Sequence, residues 1–68
     1  MVMNMEDYRK ILRSKREKIG WSQYKLAKVV GITQSFVNEI ESGKKNPSLD
    51  VFFRICEALE IRVFPEEE

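Results

Sequence analysis

Side chains that can donate and accept hydrogen bonds are grouped within six residues of this chain, at Gln34, Ser35, Asn38 and Glu39. The amide of Gln34 matches the N6 donor and N7 acceptor that adenine presents in the major groove of DNA. Ser35 can donate or accept, and Asn38 and Glu39 follow one helical turn later. A carboxylate at Glu39 can accept from cytosine N4 but repels phosphates, so three roles stay open for it: base contact, exclusion of wrong sequences, and orientation of a basic neighbour.

A second set of residues has the chemistry of phosphate binding. Backbone N–H groups and the helix dipole favour anions at the N-termini of helices, where Ser22, Gln23 and Thr33 are expected. The loop after the third predicted helix adds Lys44, Lys45 and Asn46, although the two lysines can also be explained as solvated loop charges. Arg13, Lys25 and Lys28 are weaker phosphate candidates, because exposed basic side chains are common on helices.

Composition excludes several other kinds of chemistry. The chain has 68 residues, one cysteine and no histidine, which leaves no disulfide framework, zinc-finger spacing or Ser–His or Cys–His nucleophile pair. We therefore predict no catalytic residue, no metal site and no cofactor. No apolar run approaches the roughly 20 residues that span a bilayer, and no signal peptide is visible, so we expect a cytoplasmic protein with no membrane partner.

The charges are strongly polarised along the chain, although the net charge is only +1. Residues 8–45 hold ten Lys or Arg and three acids, whereas residues 46–68 hold two basic residues and six acids. A basic body with an acidic tail can offer a positive face to phosphate. The alternative explanation for the charges alone is a solvated surface of mixed sign.

Apolar spacing and capping residues predict four helices, over about residues 5–18, 23–30, 34–41 and 49–59. Gly20, Gly31 and Gly43 end the first three, and Ser22, Thr33 and Ser48 cap the last three. Trp21 with Leu26, and Ile32 with Val37, have the spacing of hydrophobic staples. The predicted inward-facing residues of the last three helices are Leu26, Ala27, Val30, Phe36, Val37, Ile40, Leu49, Phe52, Ile55, Cys56 and Leu59.

The end of the chain differs from the rest. The side-chain pattern of the segment Ile61-Arg62-Val63-Phe64 alternates and favours a β-strand. Pro65 ends this predicted strand and begins the acidic tail over residues 65–68. An isolated strand is not stable in water, so a twin strand from a second copy would satisfy it. The alternative is a frayed tail whose Ile61 and Val63 cover the core. We predict one domain over residues 1–68, with its core at 5–60 and a dimerising strand at 61–64.

The chain resembles the lambda/434-type phage repressor and Cro family, the XRE-type helix-turn-helix proteins. The resemblance covers about residues 12–61, and its central run is Gln23-x-x-Leu26-Ala27-x-x-x-Gly31-Ile32-Thr33-Gln34-x-x-Val37-x-x-Ile40-Glu41-x-Gly43-x-x-x-Pro47-Ser48-Leu49. It implies a compact all-α domain whose third helix lies in the major groove. At the matching positions, Gln23 braces Gln34 and contacts a phosphate, and Arg16 pairs with Glu41.

The C-terminus departs from the phage repressors, which usually continue into a fifth helix. The segment from Ile61 to Pro65 instead resembles antitoxin regulators of the HipB type, as does Phe52-Phe53-Arg54. The leading hypothesis is a homodimeric transcriptional regulator, a repressor, that binds a palindromic operator in double-stranded DNA. A second hypothesis is an antitoxin with a toxin protein as a further partner, and a third is an interaction module that has lost DNA binding. An enzyme is the least supported class, since no acid–base or nucleophile set is present.

Overall fold

The computed structural model describes residues 8–62 and contains four α-helices in this range. They are α1 (Tyr8–Lys18), α2 (Gln23–Val30), α3 (Gln34–Ser42) and α4 (Leu49–Ala58). The bounds of α2 agree with the prediction, and α3 and α4 each differ from it by one residue at the C-terminus. The predicted start of the first helix, near residue 5, lies outside the described residues. The prediction of an all-α, four-helix architecture is confirmed.

Three hydroxyl side chains begin the helices α2, α3 and α4. Ser22, Thr33 and Ser48 each have an extended backbone, and each side-chain oxygen accepts a hydrogen bond from the amide three residues later, at 3.0, 3.0 and 3.2 Å. Each cap satisfies an amide that lacks a partner inside its helix. Local sequence chemistry therefore determines where these helices start.

The turn between α2 and α3 depends on Gly31, which has a φ of +88°. In this left-handed conformation the amides of Gly31 and Ile32 both donate to the carbonyl of Ala27, at 2.8 and 3.0 Å. The left-handed conformation is energetically unfavourable for a residue that has a Cβ, so glycine is favoured here. The turn is three residues long, so α3 starts directly against α2.

All four helices contribute apolar side chains to one core. Tyr8 and Leu12 come from α1, and Phe36, Phe52 and Ile61 are partly buried against the fully buried residues. Cys56 is only 3% exposed, and burial raises the pKa of its thiol, so the thiol remains protonated at neutral pH. The buried apolar residues are Tyr8, Leu12, Leu26, Ala27, Val30, Val37, Ile40, Ile55, Cys56 and Leu59.

The predicted burial of Leu49 is wrong. Leu49 is the first residue of α4 and its side chain is 69% exposed. Cys56 lies two helical turns later on nearly the same side of α4 and is 3% exposed, so the direction of the side chain does not explain the exposure of Leu49. Leu49 is exposed because it stands at the end of the helix, beyond the packed part of the core.

The chain after α4 has no strand up to Arg62, the last described residue. The amide of Ile61 donates to the carbonyl of Cys56 at 2.8 Å, and Ile61 is half-buried against the core. Ile61 therefore covers the core. This is the position that the alternative to a dimerising strand, a tail lying over the core, predicts for this residue. Val63, Phe64 and the acidic tail lie outside the described residues.

Candidate nucleic-acid interface

The outward face of α3 brings together the four predicted base-contacting residues. Gln34, Ser35 and Asn38 are exposed and Glu39 is half-buried. Positions i, i+1, i+4 and i+5 share one side of a helix, and the opposite side carries the buried core residues of α3. This face is polar, continuous and accessible along about one and a half turns of the helix.

A buried ion pair fixes α3 to α1. The guanidinium of Arg16 donates from Nε to Glu41 Oε2 at 2.8 Å and from Nη2 to Glu41 Oε1 at 3.0 Å. The two side chains are only 8% and 6% exposed, and Arg16 also donates to the carbonyl of Trp21 at 2.7 Å. The pKa of Arg16 is raised, chiefly by the hydrogen bonds to Glu41, although burial acts in the opposite direction. The pairing that the family resemblance implies is therefore present in the unbound chain.

Gln23 connects this ion pair to the exposed face of α3. Its Nε2 donates to Glu41 Oε1 at 3.0 Å, and its Oε1 accepts from Asn38 Nδ2 at 3.4 Å. The resemblance implies that Gln23 braces Gln34. In the unbound chain these hydrogen bonds of Gln23 go to Glu41 and Asn38 instead, and the side chain of Gln34 is exposed at the first turn of α3.

Glu39 lies close to a lysine of the following loop. Its Oε1 is 3.6 Å from Lys45 Nζ, and the side chains are 32% and 60% exposed, respectively. Among the three roles left open for Glu39, the unbound structure supports orientation of a basic neighbour. The same contact holds Lys45 near the outward face of α3.

The loop after α3 is held by Arg9, a residue that the sequence did not single out. The guanidinium of Arg9 donates to the carbonyls of Ile40 and Lys45 and to Asn46 Oδ1, and the Tyr8 hydroxyl donates to the same Oδ1 at 3.1 Å. These bonds leave Nδ2 as the donor that Asn46 can offer to a phosphate. No local sequence signal could have identified Arg9, because its partners are more than 30 residues away.

The N-termini of α2 and α3 supply the remaining phosphate candidates. Ser22 and Thr33 use their oxygens to cap the two helices, while their hydroxyl hydrogens remain available to an acceptor. The first amides of an α-helix have no partner within the helix, so those of Gln23 and Gln34 can also bind an anion. Lys44 is exposed in the loop that follows the C-terminus of α3.

Two features of other classes of protein are missing from the described part of the chain. Residues 8–62 contain no cluster of three or more His, Cys, Asp or Glu that could hold a metal ion. In the same range no helix has the length and apolar character needed to cross a membrane.

Comparison with known proteins identifies the family. A helix-turn-helix family model matches residues 12–64. This chain belongs to the XRE-type helix-turn-helix family. The matched family is one of DNA-binding regulators.

The similar proteins include an antitoxin and helix-turn-helix regulators. The chain is 41% identical to antitoxin HipB of Escherichia coli O6:H1 over 46 residues, which are 68% of this chain and 49% of HipB. It is 40% identical to the uncharacterized helix-turn-helix regulator YgzD of Bacillus subtilis over 48 residues, covering 71% of this chain and 73% of that protein. The chain thus spans about half the length of HipB.

Solved structures show the same fold. The restriction-modification controller protein C.AhdI of Aeromonas hydrophila has a TM-score of 0.78 and 33% identity, covering 84% of this chain and 86% of that protein. A chain in a HipA–HipB–O2–O3 complex has a TM-score of 0.81 and 27% identity, covering 98% of this chain and 94% of its own length. The four-helix fold of residues 8–62 is therefore shared with these proteins.

Proposed function

We propose that this protein is a sequence-specific DNA-binding transcriptional regulator, a repressor that binds a palindromic operator as a homodimer. The observation that carries the proposal is the exposed polar face of α3, which the buried Arg16–Glu41 pair holds rigidly against α1. A helix presented in this way fits the major groove of B-DNA. Membership of a family of DNA-binding regulators supports it independently. The site of action would be the cytoplasm.

In this proposal the two groups of polar residues have separate roles. The outward residues of α3 contact bases and so determine the preferred sequence, whereas the helix N-termini and the loop after α3 contact phosphates and position the protein. The base-contacting residues are Gln34, Ser35, Asn38 and Glu39. The phosphate-contacting residues are Ser22, Gln23, Thr33, Lys44, Lys45 and Asn46.

Selection of binding sites from random duplex DNA tests the function. We expect the purified chain to enrich an inverted repeat that outcompetes random duplex at low salt. Gln34→Ala should weaken binding to the enriched site by about 1–3 kcal/mol and relax the preference for one adenine in each half-site. Lys10→Ala, an exposed change on α1 away from α3, is the matched control and should leave the preferred sequence unchanged. Failure to enrich any sequence would exclude a sequence-specific regulator.

The proposed dimer forms through residues 61–64. One monomer can contact only a half-site, and two α3 helices must lie about 34 Å apart to reach successive major-groove faces. An antiparallel pair of identical strands has the two-fold symmetry that a closed dimer requires. Ile61 and Arg62 show no strand in the single chain, so the strand would form on association.

Val63→Pro should prevent this dimer, because proline cannot donate a hydrogen bond to a strand ladder. We expect a folded monomer whose DNA affinity is close to nonspecific, measured by sedimentation and by competition with random duplex. Glu67→Pro, in the acidic tail, is the matched control and should remain dimeric. A wild-type monomer at high micromolar concentration, or a dimer that survives deletion of residues 61–68, would refute the strand interface.

An antitoxin is the second candidate function, favoured by the identity to HipB over 68% of this chain. A HipB-containing complex with HipA is also among the similar structures. In this alternative the chain would autoregulate by DNA binding and also bind a toxin protein. Co-expression with the product of the neighbouring gene tests it, since a stable complex that relieves growth inhibition would support the antitoxin function.

A further inference from the structure

Four side chains form a continuous series of hydrogen bonds from the core to the exposed face of α3. The series runs from Arg16 through Glu41 and Gln23 to Asn38, at 2.8 and 3.0 Å, then 3.0 Å, then 3.4 Å. Its first two members are almost fully buried, and its last member is exposed among the proposed base-contacting residues. The direction of each bond along this series has a chemical consequence for Asn38.

The direction is determined at the buried end. A guanidinium can only donate, and an ionised carboxylate can only accept. Gln23 must therefore turn its Nε2 towards Glu41, which leaves its Oε1 facing Asn38. That oxygen in turn requires a donor, so Asn38 presents Nδ2 to Gln23. The reversed amide of Gln23 would place its oxygen against a buried acceptor, and the cost of such unpaired contacts disfavours it.

The consequence is a fixed orientation of the Asn38 amide. Because Nδ2 is held by Gln23, Oδ1 lies on the other side of the amide as the acceptor. An asparagine on a bare helix surface can rotate its amide and present either group, since neither orientation has a fixed partner. Here the Arg16–Glu41 pair selects one orientation without placing a net charge at the exposed end of the series.

We propose that Asn38 is a specificity-determining residue that accepts a hydrogen bond from the exocyclic amino group of a base, either adenine N6 or cytosine N4. Guanine O6 and thymine O4 occupy the corresponding groove positions as acceptors, so Asn38 Oδ1 discriminates against them. Arg16, Glu41 and Gln23 act as positioning residues for this contact. The inference rests on the proposed DNA-binding function and adds the chemical group that is recognised.

Base analogues that lack the amino group provide a direct test. In the operator obtained by selection, each adenine is replaced in turn by purine and each cytosine by 2-pyrimidinone. Besides the adenine assigned to Gln34, we expect the wild-type protein to lose about 10-fold in affinity at one further position per half-site, within the range of a good base contact. Asn38→Ala should bind the unmodified operator more weakly than wild type does. Replacing the base at that position by its analogue should not weaken the binding of this variant any further. Wild type that tolerates every analogue, or Asn38→Ala that stays as sensitive as wild type, would overturn the inference.

A second variant tests the positioning residues. Gln23→Met keeps the length of the side chain but removes both hydrogen bonds, so the Asn38 amide is free to rotate. We expect the ratio of affinities for operators with an amino or a keto base at this position to fall by about 10-fold. A ratio cancels any uniform loss of phosphate binding. Lys10→Ala, on the exposed side of α1 and outside the series, should keep the ratio, and an unchanged ratio in Gln23→Met would contradict the positioning role.

The outcomes separate this inference from the function on which it rests. A protein that enriches no DNA sequence would refute both. A protein that enriches an operator but is insensitive to the amino analogues would refute the role of Asn38 alone, and the regulator function would stand.

Discussion

Replacing Glu41 with alanine is expected to lower the free energy of unfolding by about 3–5 kcal/mol, because it leaves the buried charge of Arg16 without its partner. The Arg16 side chain is 8% exposed, so water cannot replace the two lost hydrogen bonds. A domain of this size has only a few kcal/mol of net stability, and the variant should be largely unfolded at 25 °C. Urea denaturation followed by circular dichroism measures the effect.

Arg16 stays ionised near neutral pH, so its charge remains buried without a partner in Glu41→Ala throughout this range. The folded-state pKa of Arg16 is raised above the ordinary arginine value, so the stabilisation is complete at neutral pH and is lost only as pH rises through the folded-state pKa. Neutralisation therefore cannot rescue Glu41→Ala at any pH at which the protein is normally studied.

Two further variants control for the buried pair. The double replacement Arg16→Met with Glu41→Leu removes both charges and should recover part of the loss. Asp50→Ala removes the exposed partner of Arg54, whose ion pair spans 3.4 Å, and should change stability by no more than about 1 kcal/mol. Single and double variants as stable as wild type would show that the pair does not anchor α3.

Raising the salt concentration from 50 to 200 mM is expected to weaken operator binding by about 10³–10⁵-fold, if a dimer neutralises about 6–10 phosphates. The motivation is the excess of basic over acidic residues between 8 and 45, together with the helix N-termini and the loop after α3. Fluorescence anisotropy of a labelled operator over a series of salt concentrations gives the slope of log affinity against log salt.

The loop lysines provide the control for this slope. Lys44→Ala should weaken binding to operator and random duplex alike and reduce the slope by about 1, whereas Gln34→Ala should leave the slope unchanged. A slope near zero for wild type, or one that Lys44→Ala does not alter, would show that phosphate contacts do not dominate the affinity.

Local chemistry was sufficient to predict most of the fold. Ser22, Thr33 and Ser48 cap helices at the predicted positions, and Gly31 adopts the predicted left-handed turn, because these features depend only on near neighbours in sequence. Leu49 was misassigned because helical periodicity does not show how far the neighbouring helices extend along α4. A hydrophobic first residue of a helix can lie beyond the packed part of the core.

The contacts of the candidate site were less predictable, because they join distant parts of the chain. The four outward residues of α3 follow from periodicity, but the link from Gln23 to Asn38 spans 15 residues and that from Arg9 to Asn46 spans 37. Family resemblance implied the pairing of Arg16 with Glu41, whereas neither resemblance nor spacing pointed to Arg9. Long-range hydrogen bonds of this kind are set by tertiary packing, which no local pattern encodes.

Two of the arginines of α1, Arg9 and Arg16, make the helix-turn-helix dependent on a helix outside it. A graft of residues 22–43 onto another scaffold would leave the Glu41 carboxylate without its guanidinium and the α3 C-terminus without Arg9. Within the native chain, by contrast, Gln34 and Ser35 have no part in either arginine's contacts and can diverge while the anchor stays intact. New operator preferences should therefore evolve first at these two positions, whereas changes at Asn38 also disturb the hydrogen bonds that lead back to the anchor.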